Sequence, residues 1–291
     1  MSTLRMVIPN GSLSEPLGRY LGVAGYPVGK PDRTGFCGEA NGIAFFQLDR
    51  RMVPSFVASG VFDAGITGYD LWIASGAKGL KSVAELCFSR ATNQPTRWVL
   101  ARRKGKRIPR GSTVRVACEL PVLGRALLKR TCLPWRCRFV RVDGSEEQSV
   151  SCGLADLVLV VTETGKSLEA NGLTIVPGCE KLLTSTPRVL VRRDLRTPQE
   201  DALTGLSLAL QAVVGAQAYV MVAFDLPAAV DISALSLPSS VAPTVCSLLP
   251  PSTWKACDIC IPRTEFGPLL PRLKSAGARA IVLREVQGYL P

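Results

Sequence analysis

The chain has 291 residues, of which 47% are hydrophobic, and it carries a formal net charge of +12 at pH 7. This length allows two or three domains, each with a sizeable core. The sequence contains no histidine, which excludes Ser-His-Asp catalysis, Cys-His catalysis and any imidazole acid or base.

The ten cysteines are scattered through a chain that is too long to need disulfide stapling. Cys118, Cys257 and Cys260 lie in apolar strand-like runs, where cysteine acts as a small hydrophobic residue. On a strand, Cys257 and Cys260 would face opposite sides, so we predict no metal site there. Pro, Gly or charge interrupts each apolar run, and no signal-peptide core follows the N-terminus, so we expect a soluble cytoplasmic protein without a membrane span.

The first hundred residues alternate between strand and helix patterns. Strands are predicted at residues 5–9, 43–48 and 64–66, and helices at residues 14–24 and 53–59. Such alternation indicates an α/β fold with a parallel or mixed sheet and helices on both faces.

A basic, turn-rich linker at residues 102–110 marks the passage into a second lobe, after a crossing strand at residues 98–102. In that lobe we predict strands at residues 114–117 and 138–142 and a helix at residues 123–130. Two α/β lobes with a cleft between them would bind ligands at the carboxyl ends of their strands.

The most informative stretch begins with a buried-strand pattern at residues 157–161 and continues into Thr164-Gly165-Lys166-Ser167 before a helix pattern. Unsatisfied backbone N–H groups at a helix start bind phosphate, and Gly165 allows close approach. A nucleoside-triphosphate P-loop is excluded, because Val160 occupies the position of its first glycine. The alternative is an ordinary βα turn without a ligand.

The remaining chain predicts a strand at residues 189–191 and a long helix at residues 199–214, which returns to the first lobe. A third unit follows, with two strands, a helix and a final strand, at residues 219–225, 254–261, 265–276 and 280–285.

Several motifs resemble the long form of ATP phosphoribosyltransferase, the first enzyme of histidine biosynthesis. The signature region contains Gly-Ser-x-Glu at 144–147, Gly-Leu-Ala-Asp at 153–156, Glu-Thr-Gly-Lys-Ser-Leu at 163–168 and Ala-Asn-Gly-Leu at 170–173. Segments at 9–13, 60–70, 242–244 and 273–281 fall in the family's order around it. The resemblance covers nearly the whole chain.

The resemblance implies a two-lobed, periplasmic-binding-protein-like phosphoribosyltransferase core followed by a C-terminal ferredoxin-like (ACT-like) α+β domain. Lobe I would comprise residues 1–100 and 186–215, and lobe II residues 101–185. The regulatory domain would comprise residues 219–291.

The resemblance also implies the substrates ATP and phosphoribosyl pyrophosphate, the cofactor Mg²⁺ and feedback inhibition by histidine. Glu147 and Asp156 would act on the ribose and the metal, and Asp225 and Thr244 would contact histidine. The residues implied to bind the nucleotide or the phosphoribosyl group are Gly11, Asp70, Glu163, Thr164, Gly165, Lys166 and Ser167.

One position and three short segments depart from the family's pattern. Where the family has a second carboxylate four residues after Asp156, this chain has Val160, which cannot accept a hydrogen bond. The family's Lys-Gly-Arg is Asn-Gly-Ser at 10–12, its Arg-x-x-Asp-Ile-Pro is Asp-Arg-Arg-Met-Val-Pro at 49–54, and its Thr-x-Tyr-Pro is Cys-Glu-Leu-Pro at 118–121. The neighbours that would compensate for these lost polar groups are Glu119, Arg50, Arg51 and Lys166.

Two hypotheses follow. The first is an active ATP phosphoribosyltransferase that assembles as a homo-oligomer, a dimer or a hexamer. The second is a catalytically inert paralogue that serves as a structural or RNA-associated subunit, supported by the lost polar groups and the net charge of +12. The basic linker at residues 102–110, with Trp98 nearby, is the candidate nucleic-acid contact.

Overall fold

The computed structural model describes residues 3–90, 92–194, 197–237, 242–249 and 252–290. The chain divides into two compact units, Met1–Ser207 and Leu208–Pro291, and the boundary falls within one long helix. In the described residues, no helix is both long enough and apolar enough to span a bilayer.

The secondary structure comprises the following elements, in chain order. The strands are β1 (Leu4–Pro9), β2 (Phe36–Ala40), β3 (Ile43–Leu48), β4 (Ala64–Gly68), β5 (Leu80–Glu85), β6 (Thr96–Arg103), β7 (Thr113–Cys118), β8 (Arg136–Arg141), β9 (Leu157–Thr162), β10 (Leu173–Ile175), β11 (Leu183–Ser185), β12 (Pro187–Arg192), β13 (Tyr219–Pro227), β14 (Thr244–Ser247), β15 (Trp254–Pro262) and β16 (Arg279–Glu285). The helices are α1 (Ser14–Val23), α2 (Val53–Ala58), α3 (Tyr69–Ser75), α4 (Pro121–Leu128), α5 (Glu146–Ser151), α6 (Lys166–Ala170), α7 (Thr197–Ala216) and α8 (Arg263–Ser275).

The first unit contains two sheets that repeat one strand order. The first sheet runs β2-β3-β1-β4-β12-β5, and the second runs β10-β6-β9-β7-β8 with β11 also paired to β6. In each sheet the central strands are parallel, and one antiparallel strand from the other half of the unit, β12 or β6, inserts beside them. The predicted two-lobed, periplasmic-binding-protein-like α/β core is confirmed.

The apolar run of β9 follows from its central place in the second sheet. Leu157 and Leu159 pack into the core on one face, and Val158 packs on the other with Val99 and Val150. A strand covered on both faces is apolar at successive positions instead of alternating. The second sheet contains all of β6. This strand crosses the lobe boundary that was predicted between residues 100 and 101.

The second unit contains one four-stranded antiparallel sheet with the order β14-β15-β13-β16. One face packs against α8, so burial alternates along β13 and β15, whereas the opposite face remains open. This strand order is the predicted ferredoxin-like one, and the segment between β13 and β14 contributes only a short 3₁₀ turn, Ile232–Leu235.

The ten cysteines are all free thiols. Cys118 is buried in the second sheet, and burial raises its thiol pKa to about 12, so it acts as a small hydrophobic side chain. Cys257 is buried and Cys260 is only partly buried on the opposite face of β15, as their spacing on a strand predicts.

Candidate active site

A cavity of about 530 Å³ lies between the two sheets of the first unit. Residues that follow the carboxyl ends of β3, β4, β7, β8 and β9 line it, together with the start of β6 and the end of β11. This is the edge at which open α/β sheets bind ligands, and the volume suits a nucleotide-sized group.

The turn after β9 was predicted to bind phosphate, and residues Thr164–Ser167 are called the phosphate-binding turn below. Gly165 has a φ of +83°, and its N–H donates to Thr162 Oγ1 at 3.0 Å. The N–H of Lys166 donates to Thr164 Oγ1 at 3.4 Å, and α6 begins at Lys166. Thr164, Lys166 and Ser167 line the cavity, so the start of α6 faces it.

Glu147 and the phosphate-binding turn are brought together. Glu147 lies in the first turn of α5 and lines the cavity. The hydroxyl of Ser167 donates to Glu147 Oε1 at 2.8 Å. A carboxylate predicted to act on the ribose is therefore joined to a hydroxyl predicted to bind the phosphate.

Glu163 ties the phosphate-binding turn to the segment that follows β5. Its two carboxylate oxygens accept from the backbone N–H of Arg90 at 3.0 Å and from Thr92 Oγ1 at 3.3 Å. Glu163 lines the cavity, and these contacts hold the segment after β5 against the phosphate-binding turn.

Asp70 is a buried carboxylate at the start of α3, and it lines the cavity. Its Oδ1 accepts from Ser185 Oγ at 2.8 Å and from the Leu71 N–H at 2.9 Å, and its Oδ2 accepts from Trp98 Nε1 at 3.0 Å. Gly68 leaves room for this carboxylate, because a Cβ there would collide with it. Asp70 thus connects both sheets at the cavity floor.

Asp156 is the predicted catalytic residue that the structure does not bring to the cavity. It precedes β9, roughly 20 Å of strand away from the phosphate-binding turn. Lys106 Nζ lies 3.1 Å from Oδ1, and Arg115 Nε lies 3.1 Å from Oδ2. These cations hold the pKa of the Asp156 carboxyl well below its usual range, with the Arg115 hydrogen bond as the largest cause. Asp156 was predicted to act with Glu147 on the ribose and the metal; in this structure its carboxylate forms an ion pair, and it is not among the residues that line the cavity.

Gly11 lies beside the main cavity and not within it. With a φ of +78°, it begins the 3₁₀ turn that leads into α1. It lines an adjoining cavity of about 470 Å³ together with Ser12, Arg19 and Arg90. Ser12 and Arg90 border both cavities, so the two cavities adjoin along this wall.

Glu146 and Arg50 are among the lining residues that were not assigned a site role from sequence. Glu146 precedes Glu147, and burial is the main cause that raises its pKa. Arg50 was named only as a compensating neighbour; its Nη2 lies 2.7 Å from Glu119 Oε1 and joins the lobes across the cavity. Helix α5, which carries Glu146, has no apolar periodicity, so no pattern in the sequence predicted that this carboxylate would face inward.

The departures at residues 10–12 and 49–54 lie on this wall or next to it. Asn10 Oδ1 accepts from the Arg50 N–H at 3.2 Å, which orders the Arg50 backbone. Asp49 pairs with Arg51 at 3.1 Å, and that pair directs Arg51 away from the cavity and toward Asp143. Of the two arginines, Arg50 alone lines the cavity among the residues that the structure describes.

The predicted histidine contacts lie in the second unit. Asp225 on β13 accepts from Arg279 Nε at 3.4 Å, and Arg279 also stacks on the ring of Trp254. Thr244 begins β14, and it is exposed and opposite Asp258. Cross-strand pairing through β15 places Asp225 and Thr244 on the same open face of the sheet.

The fold and cleft define a two-lobed α/β protein whose interlobe cavity is lined by the predicted phosphate-binding turn. A family model described as ATP phosphoribosyltransferase matches residues 50–212, more than half of the chain, and one described as HisG, C-terminal domain, matches residues 216–287. The chain belongs to the ATP phosphoribosyltransferase family, in its long form.

Curated relatives and a solved structure agree with this assignment. The chain is 34% identical to the ATP phosphoribosyltransferase of Salinispora tropica over 98% of both chains. It is 31% identical to that of Nitratidesulfovibrio vulgaris strain Miyazaki F, over 96% of this chain and 95% of the relative. The ATP phosphoribosyl transferase (HisG:HisZ) complex from Thermotoga maritima aligns with a TM-score of 0.59 and 27% identity, over 72% of this chain and 98% of that chain.

Proposed function

We propose that this chain is an ATP phosphoribosyltransferase that transfers the phosphoribosyl group of phosphoribosyl pyrophosphate to N1 of ATP in histidine biosynthesis. The observation that carries the proposal is the Thr164–Ser167 turn, whose Ser167 hydroxyl contacts Glu147 inside one interlobe cavity. The alternative of an inert paralogue rests on the lost polar groups, but relatives named as this enzyme cover nearly the whole chain.

The phosphoribosyl group is assigned to the second lobe. Its 5′-phosphate binds the hydroxyls of Thr164 and Ser167 and the N–H groups at the start of α6, with the Lys166 ammonium adding charge. Glu147 faces the ribose and stabilises the positive charge that develops at C1 as pyrophosphate departs. The protein mainly positions the two reactants, since N1 of the adenine supplies the nucleophile.

The nucleotide is assigned to the first lobe and the adjoining cavity. Asp70 borders the adenine, and Gly11 allows close approach of the backbone. Arg19 and Arg90 line the adjoining cavity and provide the positive charge that a triphosphate requires.

Mg²⁺ fits this site as a partner of the substrate phosphates. Within the described residues, no group of three or more potential protein ligands surrounds a common point. Mg²⁺ commonly binds through one or two carboxylates together with substrate phosphates and water, and Glu147 is the carboxylate that would hold it. When bound, the ion would neutralise charge on the departing pyrophosphate.

Pyrophosphate release tests the proposed function. Purified protein with ATP, phosphoribosyl pyrophosphate and Mg²⁺ is expected to release pyrophosphate, whereas omission of either substrate reduces release to background. A control with Ser167→Ala removes the hydroxyl and should weaken saturation by phosphoribosyl pyrophosphate while the KM for ATP changes little. No release above background by the unmodified protein overturns the proposal.

Regulation by histidine and self-assembly are extensions of this proposal. Asp225 and Thr244 share the open face of the second unit, where a carboxylate and a hydroxyl suit an amino acid. The Thermotoga maritima structure is a HisG:HisZ complex, and we propose that this chain forms a homo-oligomer, a dimer or a hexamer. Native mass measurement and histidine inhibition, compared with Asp225→Asn, test both points.

Nucleic-acid binding remains a prediction for the basic linker. Residues 103–107 are exposed, and they begin at Arg103, the last residue of β6, at the end of the strand opposite the cavity. Polyanion binding there would be strongly weakened by salt. RNA crosslinking to residues 102–110 supports this prediction, and a purified oligomer free of nucleic acid contradicts it.

A further inference from the structure

The end of β9 presents an apolar wall to the cavity. Leu159, Val160 and Val161 all line it, and none offers a hydrogen-bond acceptor on its side chain. A ribose bound next to Thr164 and Ser167 would lie near this wall and would find no side-chain partner on the strand itself.

Glu146 approaches the same wall from α5. Helix α5 packs on β9, and Val150 shares an apolar cluster with Val160. Glu146 precedes Val150 by four residues, so both lie on one face of α5, with Glu146 one turn closer to the cavity. Glu146 is 7% exposed and lines the cavity.

Glu146 differs from the other cavity carboxylates in its partners. Its Oε1 accepts from the Gly144 N–H at 3.1 Å, and no described cation forms an ion pair with it. Each of the others contacts a cation or a donor of another segment, and these are Asp70, Glu119, Glu147 and Glu163.

This environment is unfavourable for the Glu146 carboxylate when no ligand is bound. Burial raises the pKa of Glu146, and the nearby charges of Glu119 and Glu147 raise it further. A buried carboxylate without a cation destabilises the fold unless donors satisfy it. A ligand that carries several hydroxyls would supply those donors.

We propose that Glu146 binds the ribose hydroxyls of the phosphoribosyl substrate, beside Glu147, and provides the carboxylate that β9 lacks at Val160. This inference rests on the proposed function, because it takes the phosphoribosyl group as the occupant of the second-lobe wall.

Calorimetry with two probes on the full chain tests the inference without turnover. Ribose 5-phosphate carries the hydroxyls and the phosphate, whereas inorganic phosphate tests the Thr164–Ser167 turn alone. Glu146→Gln keeps the volume and the acceptor for Gly144 but removes the charge, and it should weaken ribose 5-phosphate binding about 10-fold to 100-fold. Inorganic phosphate should bind as before, and Glu39→Gln, an exposed control, should change neither affinity.

A second variant keeps the test informative. Val160→Asp placed in the Glu146→Gln background should recover most of the ribose 5-phosphate affinity, because it returns a carboxylate to the same wall. Equal weakening of both probes by Glu146→Gln, or no change in either, overturns the inference. If the unmodified protein releases no pyrophosphate but Glu146→Gln still selectively weakens ribose 5-phosphate binding, the proposed activity fails and the assignment of Glu146 stands.

Discussion

The two ends of the second sheet use carboxylates in opposite ways. At the cavity end, Glu146 and Glu147 line the cavity, and neither forms an ion pair with a cation among the described residues. At the other end, Asp156 is enclosed by Lys106 and Arg115. Both ends belong to the same sheet. We infer that carboxylates paired with cations stabilise the fold, whereas carboxylates without such partners are available for binding.

The largest expected effect is on turnover, at the cavity end. Glu147→Gln should lower kcat for pyrophosphate release about 10²-fold to 10³-fold, the typical loss of one charge-stabilising group, or about 2.7–4 kcal/mol of barrier. Steady-state kinetics against both substrates measure it, with Glu39→Gln as control. If kcat falls less than about threefold, Glu147 only orients Ser167, and it does not stabilise charge during turnover.

The next effect is on stability, at the opposite end. Asp156→Asn should lower the free energy of unfolding by about 2 kcal/mol, because it removes charge-assisted hydrogen bonds from a partly buried group. Ribose 5-phosphate affinity should stay within about twofold of the unmodified protein, since no cavity contact changes. A folded Asp156→Asn protein without affinity for the ligand would show that the two ends are not separate in function.

The pH dependence of that stability has a definite sign. Since the pKa of Asp156 is lowered in the folded protein, its contribution is complete above the usual aspartate pKa of about 3.9. It disappears as the pH falls through the lower folded value. Urea titrations at pH 7 and below pH 3 should therefore show the two proteins converging in acid, and a constant difference would rule out the ion pair as its origin.

What the sequence could predict follows the periodicity of its segments. Apolar runs predicted β1, β3 and β9 to within one residue at each end and three of the six residues of β12, because buried strands need continuous apolar side chains. The strands β2 and β5 were missed: β2 contains Gly38 at a register shift, and β5 exposes four of its six residues. Their pairing with neighbours, and not their own pattern, makes them strands.

The site residues also divide into those that local sequence patterns predict and those whose contacts are distant in sequence. Local motifs predicted the phosphate-binding turn and Glu147 as site residues, and the structure places both at the cavity, because these motifs lie within a few residues of chain. The ion pairs of Asp156 could not be predicted, because its partners Lys106 and Arg115 are distant in sequence. The contact between Arg50 and Glu119, 69 residues apart, was likewise invisible before the fold was known.

A smaller effect concerns the backbone of the phosphate-binding turn. Gly165→Ala should cost about 1 kcal/mol of stability, because a φ of +83° disfavours a Cβ although space for it is open. Gly153, with a φ of +78° and the same open space, is a matched control outside the cavity. Both variants should lose similar stability, but Gly165→Ala alone should weaken inorganic phosphate binding. Equal phosphate affinity in the two variants would argue against the turn as the phosphate site.

The smallest effect is the coupling of two ion pairs that cross the cavity end. Arg50 and Glu119 are 34% and 20% exposed and 2.7 Å apart, whereas Arg51 and Asp143 are 37% and 52% exposed and 3.5 Å apart. Double-mutant cycles with Gln and Asn should give about 0.5–1 kcal/mol for the first pair and less than about 0.3 kcal/mol for the second, both decreasing with salt. Since Arg50 also lines the cavity, ligand binding should alter the first coupling and not the second. If the two pairs have equal coupling free energies, and ligand binding changes neither, then the charged groups at the cavity end stabilise the fold only, as those at the Asp156 end do.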